Sequence, residues 1–527
     1  MNIEIELPKA LYRENINKFF NTQTEKIAFA FSMLVSITSA IYIAKLNLIL
    51  QYGDAESHIN ISKRVISGLT PGFGQLGGVW LPLQHLLMIP FVWNDYMWRT
   101  GIGGSIVSMI CFIVASIFIF KIIFLLTKNS FASFTGFFVF IANPNLLYLQ
   151  STPLSETSLI VMMTISVYYI VKWILTDNFI DLILGGFFIF CGSLIRYDAW
   201  FFIFCSIVII PIIGFAKKYK FAKIESSILL YCSVAFLGIA FWIGWNYLIF
   251  KNPFYFLNSE YSAHTQQLGW LKQGQLPSYK NFISSLSFYT LTAIQNVGII
   301  FFIVAVISII IFFIFALKNR SSFTKYLGLL LITTPFFFYV ITLYLGVSII
   351  LIPELVPDTF LSQLFNVRYG IMVLPAVSIF IGLISSNLKT FSRILLWILI
   401  IYQLTFFVYD GLPIVLKDGL RGLSGRRPSP ANSYVASNYD YGFVMFDDFS
   451  RTANPVSLNI PMNKIIYVGN HPYWDQALKN PTKIARWLII RKDENDVLWQ
   501  HLQYNKEFIN NYHVVYNYAL TFVYKRN

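Results

Sequence analysis

The chain has 527 residues, of which 56% are hydrophobic, 18% aromatic and only 12% charged, with a formal net charge of +14. Soluble domains carry about 25% charged residues, so a soluble globular protein is excluded, and repeated apolar runs of roughly 20 residues predict a polytopic α-helical membrane protein. The positive balance is assigned to cytoplasmic loops, which leaves nucleic acid out as a partner, and no alternation of the transmembrane β-barrel kind is visible.

The N-terminal stretch "MNIEIELPKALYRENINKFFNTQTEK" mixes acids and bases and is too polar for a signal peptide. The run behind it is longer than a signal core, so it reads as a retained first span with a cytoplasmic N-terminus. A 19-residue window predicts about eleven spans, near 27–50, 102–126, 131–149, 154–175, 179–195, 199–216, 227–250, 290–317, 326–350, 369–386 and 391–410. In this orientation the inner loops carry Lys128, Lys172, the "KKYKFAK" stretch from Lys217 to Lys223, Lys318, Arg320, Lys325, Lys389 and Arg393. That is the positive-inside pattern. The long loop 51–101, the turns near 143–156 and 196–198, the loops 251–289 and 351–368, and the segment 412–527 then face outward in the bilayer. Residues 1–411 form the transmembrane domain and 412–527 an extracytoplasmic one. Cys111, Cys191, Cys205 and Cys232 all fall inside apolar runs, with no disulfide or zinc spacing.

Chemistry-bearing residues gather on the outer side. "YGDAESHINISKRVISG", directly after the first span, holds Asp54, Glu56, His58, Lys63 and Arg64. Asp54 suits a helix N-cap, and at i and i+4 Asp54 and His58 share a helical face that could hold a metal or orient an imidazole. Further along, Glu156 in "NPNLLYLQSTPLSETS", Arg196 and Asp198 in "LIRYDAWFF", and Arg368 in "NVRYGIMVLPA" stand at span boundaries. Ionisable groups there are costly unless paired or lining a wet cavity. Helix capping, a local ion pair and interfacial snorkelling are their bland explanations. The glycine-rich stretch "SGLTPGFGQLGGVWLPLQHLLMIPF" lacks the G-K-[ST] ending of a phosphate loop, and its His85 reads as a packed or interfacial histidine. Loop 251–289 adds Glu260, His264, Trp270 and Lys272.

"RGLSGRRPSPANS" marks a linker, after which "YGFVMFD", "NKIIYVG", "ARWLIIR" and "YHVVYNYALTFVYK" predict a small α/β domain ending in a hairpin. Asp447, Asp448, Arg451, His471, Tyr473 and Trp474 fall at its strand ends and are candidate acceptor contacts.

Together these motifs resemble the GT-C superfamily of integral-membrane glycosyltransferases, which carry paired acids in a long first outer loop, here Asp54-Ala55-Glu56. "TPLSE" (Thr152 to Glu156), "LIRYDAWF" (Leu194 to Phe201) and "RYGIMVLPA" (Arg368 to Ala376) are similar to segments of protein O-mannosyltransferases and aminoarabinose transferases. Mannosyltransferases of that kind usually keep the two acids adjacent, whereas Ala55 separates them here. The resemblance implies an inverting transferase that moves a sugar, expected to be a hexose, from a polyprenyl phosphate to a protein, lipid or glycan acceptor at the outer face. It makes Asp54 the general base with Glu56 beside it, and gives Arg196, Arg368, Lys63 and Arg64 to the donor phosphate. Glu156, Asp198, His58 and His264 would shape the site or meet the acceptor. A divalent cation, Mg or Mn, on Asp54, Glu56 and Glu156 is compatible with the resemblance, although such proteins do not always require one. A polytopic transporter or flippase of lipid-linked substrates is the alternative; it would more typically show broken, polar helices near the midplane.

Overall fold

Hydropathy sets the frame of the molecule. The computed structural model describes residues 23–259, 262–318, 320–356, 363–427, 429–448, 453–470 and 473–527. The chain begins with α1 (Gln23–Lys45), α2 (Gly53–Ser67), α3 (Leu83–Val92), α4 (Asp95–Thr100) and α5 (Ile102–Thr127). It continues through α6 (Ser130–Ile141), α7 (Pro144–Leu149), α8 (Glu156–Thr176), α9 (Phe179–Ser193) and α10 (Asp198–Ala216). Among the described residues nine helices are long and apolar enough to cross a membrane: α1, α5, α8, α10, Phe221–Phe250, Ile299–Lys318, Ser322–Tyr344, Val367–Asn387 and Thr390–Arg421. This is a multi-pass integral membrane protein.

The two remaining predicted runs, 131–149 and 179–195, are the shorter helices α6 and α9. The first is shortened by local chemistry. Pro144 has no N–H to continue the ladder of α6, and the Asn143 side chain accepts from the Leu146 amide at 3.0 Å to start α7 instead. The run near 290–317 is also divided. Helix Phe282–Val297 ends at Gly298, whose φ of +92° favours glycine, and a Cβ there would lie 2.5 Å from Gln403 Cδ. Gln403 instead accepts from the Ile300 amide at 3.0 Å, fastening one span to another.

Burial separates central from peripheral spans. The apolar window of Val367–Asn387 is 89% buried and that of Thr390–Arg421 only 17%, so the first is enclosed by its neighbours and the second turns its side chains to lipid. Hydroxyls fix the outer turns between spans. Ser105 and Ser108 of α5 donate to the carbonyls of Ser151 and Thr152 at 2.8 and 2.7 Å, holding the turn that leads into Glu156.

The C-terminal segment forms a five-stranded sheet ordered β2-β1-β3-β5-β4, with β1 (Phe443–Phe446), β2 (Ile465–Ile466), β3 (Ala485–Arg491), β4 (Tyr512–Tyr518) and β5 (Thr521–Arg526). β1 runs parallel to both β2 and β3, while β5 pairs antiparallel with β3 and closes a hairpin with β4. Val444, Met445, Phe446, Leu488, Ile489 and Ile490 are all buried, as expected of strands covered on both faces.

Candidate active site

The acids and arginines at these span boundaries form one continuous chain of alternating charge. Asp54 stands in the first turn of α2 and Glu156 begins α8, where each carboxylate meets the positive end of a helix. Arg368 joins them: its Nη2 donates to Asp54 Oδ2, and its Nε donates to Glu156 Oε1 at 2.9 Å. The same Glu156 oxygen accepts from Arg196 Nη1 at 3.2 Å. Beyond it, Arg196 Nη2 donates to the Tyr339 hydroxyl at 2.8 Å, and Tyr339 donates to Asp198 Oδ2 at 2.6 Å. The planar guanidiniums also sit against rings, Arg368 over Tyr52 and Tyr369 at 4.9 and 5.0 Å and Arg196 over Tyr369 at 5.1 Å. Glu156 and Asp198 are 1% and 5% exposed, whereas the Asp54 side chain is 42% exposed. Of the three carboxylates, Asp54 alone is open.

It opens onto a cavity of about 1200 Å³. One side is apolar, made by Ile249, Phe250, Val347 and Ile349 at or just past the ends of two spans. The other is polar and belongs to α2 and the C-terminal domain, with Glu56, Asn60, Arg64, Asp448 and Tyr467. The stretch read as a linker is part of this wall. Gly53 N donates to the Ser424 carbonyl at 3.1 Å and Arg426 N to the Gln51 carbonyl at 2.6 Å, so residues 424–426 lie beside the start of α2. Arg426 Nε then reaches Glu56 Oε2 at 2.5 Å.

Burial biases the groups around the cavity. It pushes the Glu56 carboxyl up, against the opposing pull of Arg426. The Asp448 carboxyl is pushed up to about 7, by burial first and then by neighbouring Asp447, while Arg64 opposes. Burial, helped by Arg368 and Arg196, lowers His58 to about 3.

Several sequence candidates point elsewhere. His58 stacks on Trp80 and shares a 2.9 Å hydrogen bond through Nδ1 with His85 Nε2, forming a packed pair behind the cavity wall. Lys63 Nζ donates to the carbonyls of Val92 and Trp93 at 3.0 and 3.2 Å and to Asp95 at 2.6 Å, closing the C-terminal end of α3. Arg196 and Arg368 are occupied by the buried acids and neither lines the cavity; Arg64 does. His264 is exposed on helix Ala263–Lys272, whose Gln266, Gln267 and Trp270 line the cavity. Glu260, Arg451 and His471 lie outside the described residues.

Among the described residues no group of three His, Cys, Asp or Glu side chains converges as a metal site. The donor set named for a divalent cation does not fit one in this arrangement. Arg368 already bridges Asp54 and Glu156, and Glu56 is turned to Arg426.

Other members of the site carry no sequence signal of their own. Asp418, fully buried, accepts from the Tyr52 hydroxyl at 3.2 Å, the Val367 amide at 3.2 Å and Ser424 Oγ at 3.1 Å, tying the ends of three segments together. Tyr339 and Tyr369 stack at 5.1 Å within apolar helices and read as core aromatics until folded.

A polytopic bundle with an acidic first outer helix, arginines heading later spans and a C-terminal α/β domain is the GT-C architecture, and the chain has that fold. In particular, it superposes on ArnT from Cupriavidus metallidurans bound to undecaprenyl phosphate with a TM-score of 0.53, at 11% identity over 94% of this chain and 97% of that one. The apo state of the same ArnT gives a TM-score of 0.51 at 10% identity, covering 93% and 97% of the two chains. No protein-family model and no curated protein matches the sequence.

Proposed function

We propose that the chain is an inverting glycosyltransferase that takes a sugar from a polyprenyl phosphate at the outer membrane face. The observation that carries this reading is Asp54: a half-open carboxylate on the wall of a large cavity, gripped from behind by a buried arginine. Arg368 holds Oδ2, leaving Oδ1 for an incoming hydroxyl. In the reaction the acceptor oxygen forms a bond to C1 of the sugar while the C1–O bond to the lipid phosphate breaks. Asp54 takes the acceptor's proton, and polyprenyl phosphate leaves with the electron pair. Attack opposite the leaving group inverts C1.

The two-sided cavity suits an amphipathic donor, with prenyl carbons against the apolar span ends and the sugar toward α2. Undecaprenyl phosphate in the similarly folded ArnT supports the same class of lipid here. Arg427 lines the cavity, is exposed and makes no ion pair among the described residues, so it is a cation free to meet the donor phosphate. The arrangement favours transfer over transport because its charges gather at one rim and are committed to each other, whereas alternating access needs a site at the midplane.

The test is turnover of polyprenyl-linked sugars by the purified protein in nanodiscs. Asp54→Asn is expected to lower kcat by roughly 10²–10⁴-fold, the usual contribution of a general base, while the protein still elutes as a folded species on gel filtration. Parental turnover by this variant would refute the base assignment.

A further inference from the structure

The cavity continues past Asp54 to a second polar wall. There α2 presents Asn60 and Arg64, and the C-terminal domain presents Asp448, Tyr467 and Gly469. Asp448 lies just beyond the carboxyl end of β1 and Tyr467 just beyond that of β2. β1 is flanked by parallel strands on both sides, and the chain leaves β1 and β3 in opposite directions. In open α/β sheets, ligands bind in the crevice outside the carboxyl ends of such strands. The sheet therefore turns its ligand-binding edge toward the membrane domain's cavity.

Unmet polar groups mark the same wall. Arg64 is 7% exposed; its Nη1 donates to the Tyr467 hydroxyl at 2.8 Å and Nη2 to the Gln75 carbonyl at 3.2 Å, but Nε has no partner. Asp448 Oδ1 likewise has none among the described residues. A Cβ at position 469 would overlap Arg64 Nη1, so glycine is needed for the guanidinium to pass. Groups of this kind are costly to leave unsatisfied.

We infer that this end of the cavity is a subsite for a hydroxyl-rich, uncharged glycan acceptor, with Asp448 accepting from sugar hydroxyls and Arg64 donating to sugar oxygens. The identification of the ligand as acceptor rests on the transferase reading above. Across the lining Asp54, Glu56, Asp448 and Asp475 stand against Arg64, Arg426 and Arg427, so acids and bases nearly balance and suit a neutral ligand, and hydroxyls serve both as donors and as acceptors. A peptide acceptor docked by strand addition finds little here: β2, the edge strand on this side, is two residues long.

Binding can be measured without donor. The full chain in nanodiscs is applied to an array of neutral oligosaccharides and to an array of serine- and threonine-containing peptides, and undecaprenyl phosphate binding is measured separately. The parent protein is expected to bind at least one oligosaccharide. Asp448→Asn and Gly469→Ala should each weaken that binding tenfold or more and leave undecaprenyl phosphate affinity unchanged. No oligosaccharide binding by the parent, parental binding by Asp448→Asn, or peptide binding that depends on Asp448 would each overturn the subsite. Asp448-dependent oligosaccharide binding without any undecaprenyl phosphate binding would uphold the glycan subsite and remove the lipid-donor reading instead.

Discussion

Arg368 does not line the cavity; its guanidinium spans Asp54 and Glu156, so on the transferase reading it would act on the site through Asp54. Arg368→Lys keeps a charge but loses the fork that grips two acids, so it should lower kcat about tenfold or more while the apparent affinity for donor stays near the parental value. A selective loss of donor affinity would return Arg368 to the phosphate. The same geometry bears on metal. With a guanidinium between the acids, turnover is expected to survive EDTA treatment, and restoration of a lost activity by Mg or Mn would overturn this. His58 makes a further residue-scale test. Burial and two nearby arginines keep it neutral down to about pH 3, so nitrogen NMR of labelled histidine should show its imidazole uncharged at pH 5.

At the scale of elements, the candidate site is placed by short breaks between long helices. The turn from α6 to α8 carries Glu156 to the charged rim, and Asn143 holds it twice, capping α7 and donating to the Asn296 carbonyl at 2.9 Å. Asn143→Ala removes a cap worth about 1 kcal/mol and a buried hydrogen bond of about the same value, and should lower the unfolding midpoint in detergent. Activity should fall with it, because the misplaced segment is the one that starts α8 at Glu156. The strand segments of the C-terminal domain were legible from apolar runs between turn residues. The linker carries no such signal of belonging to the site: glycine, serine and arginine look alike whether solvated or, as at 424–426, aligned with the residues before α2.

For the whole molecule, the charged chain, the cavity and the sheet's ligand edge all occupy one side. The positive-inside expectation is that this side lies outside the cell. A cysteine at exposed Tyr441 should therefore react with a membrane-impermeant maleimide in intact cells, and one at Lys220 only after permeabilisation. The reverse pattern would invert the protein and deny the site an outward-facing sugar donor.

Hydropathy and charge by themselves determined that this chain spans a membrane many times, where most of its spans run, and which loops gather acids and bases. Those are local properties, fixed by the cost of burying backbone and charge in lipid. Only the tertiary structure decided which acid stays open, which arginines are consumed by partners, that Asp418 ties Tyr52 to Val367, and that Arg426 and Asp448 share a cavity lining with Asp54. Such pairings join residues hundreds of positions apart, and a lone buried aspartate or linker arginine has no periodicity to announce it.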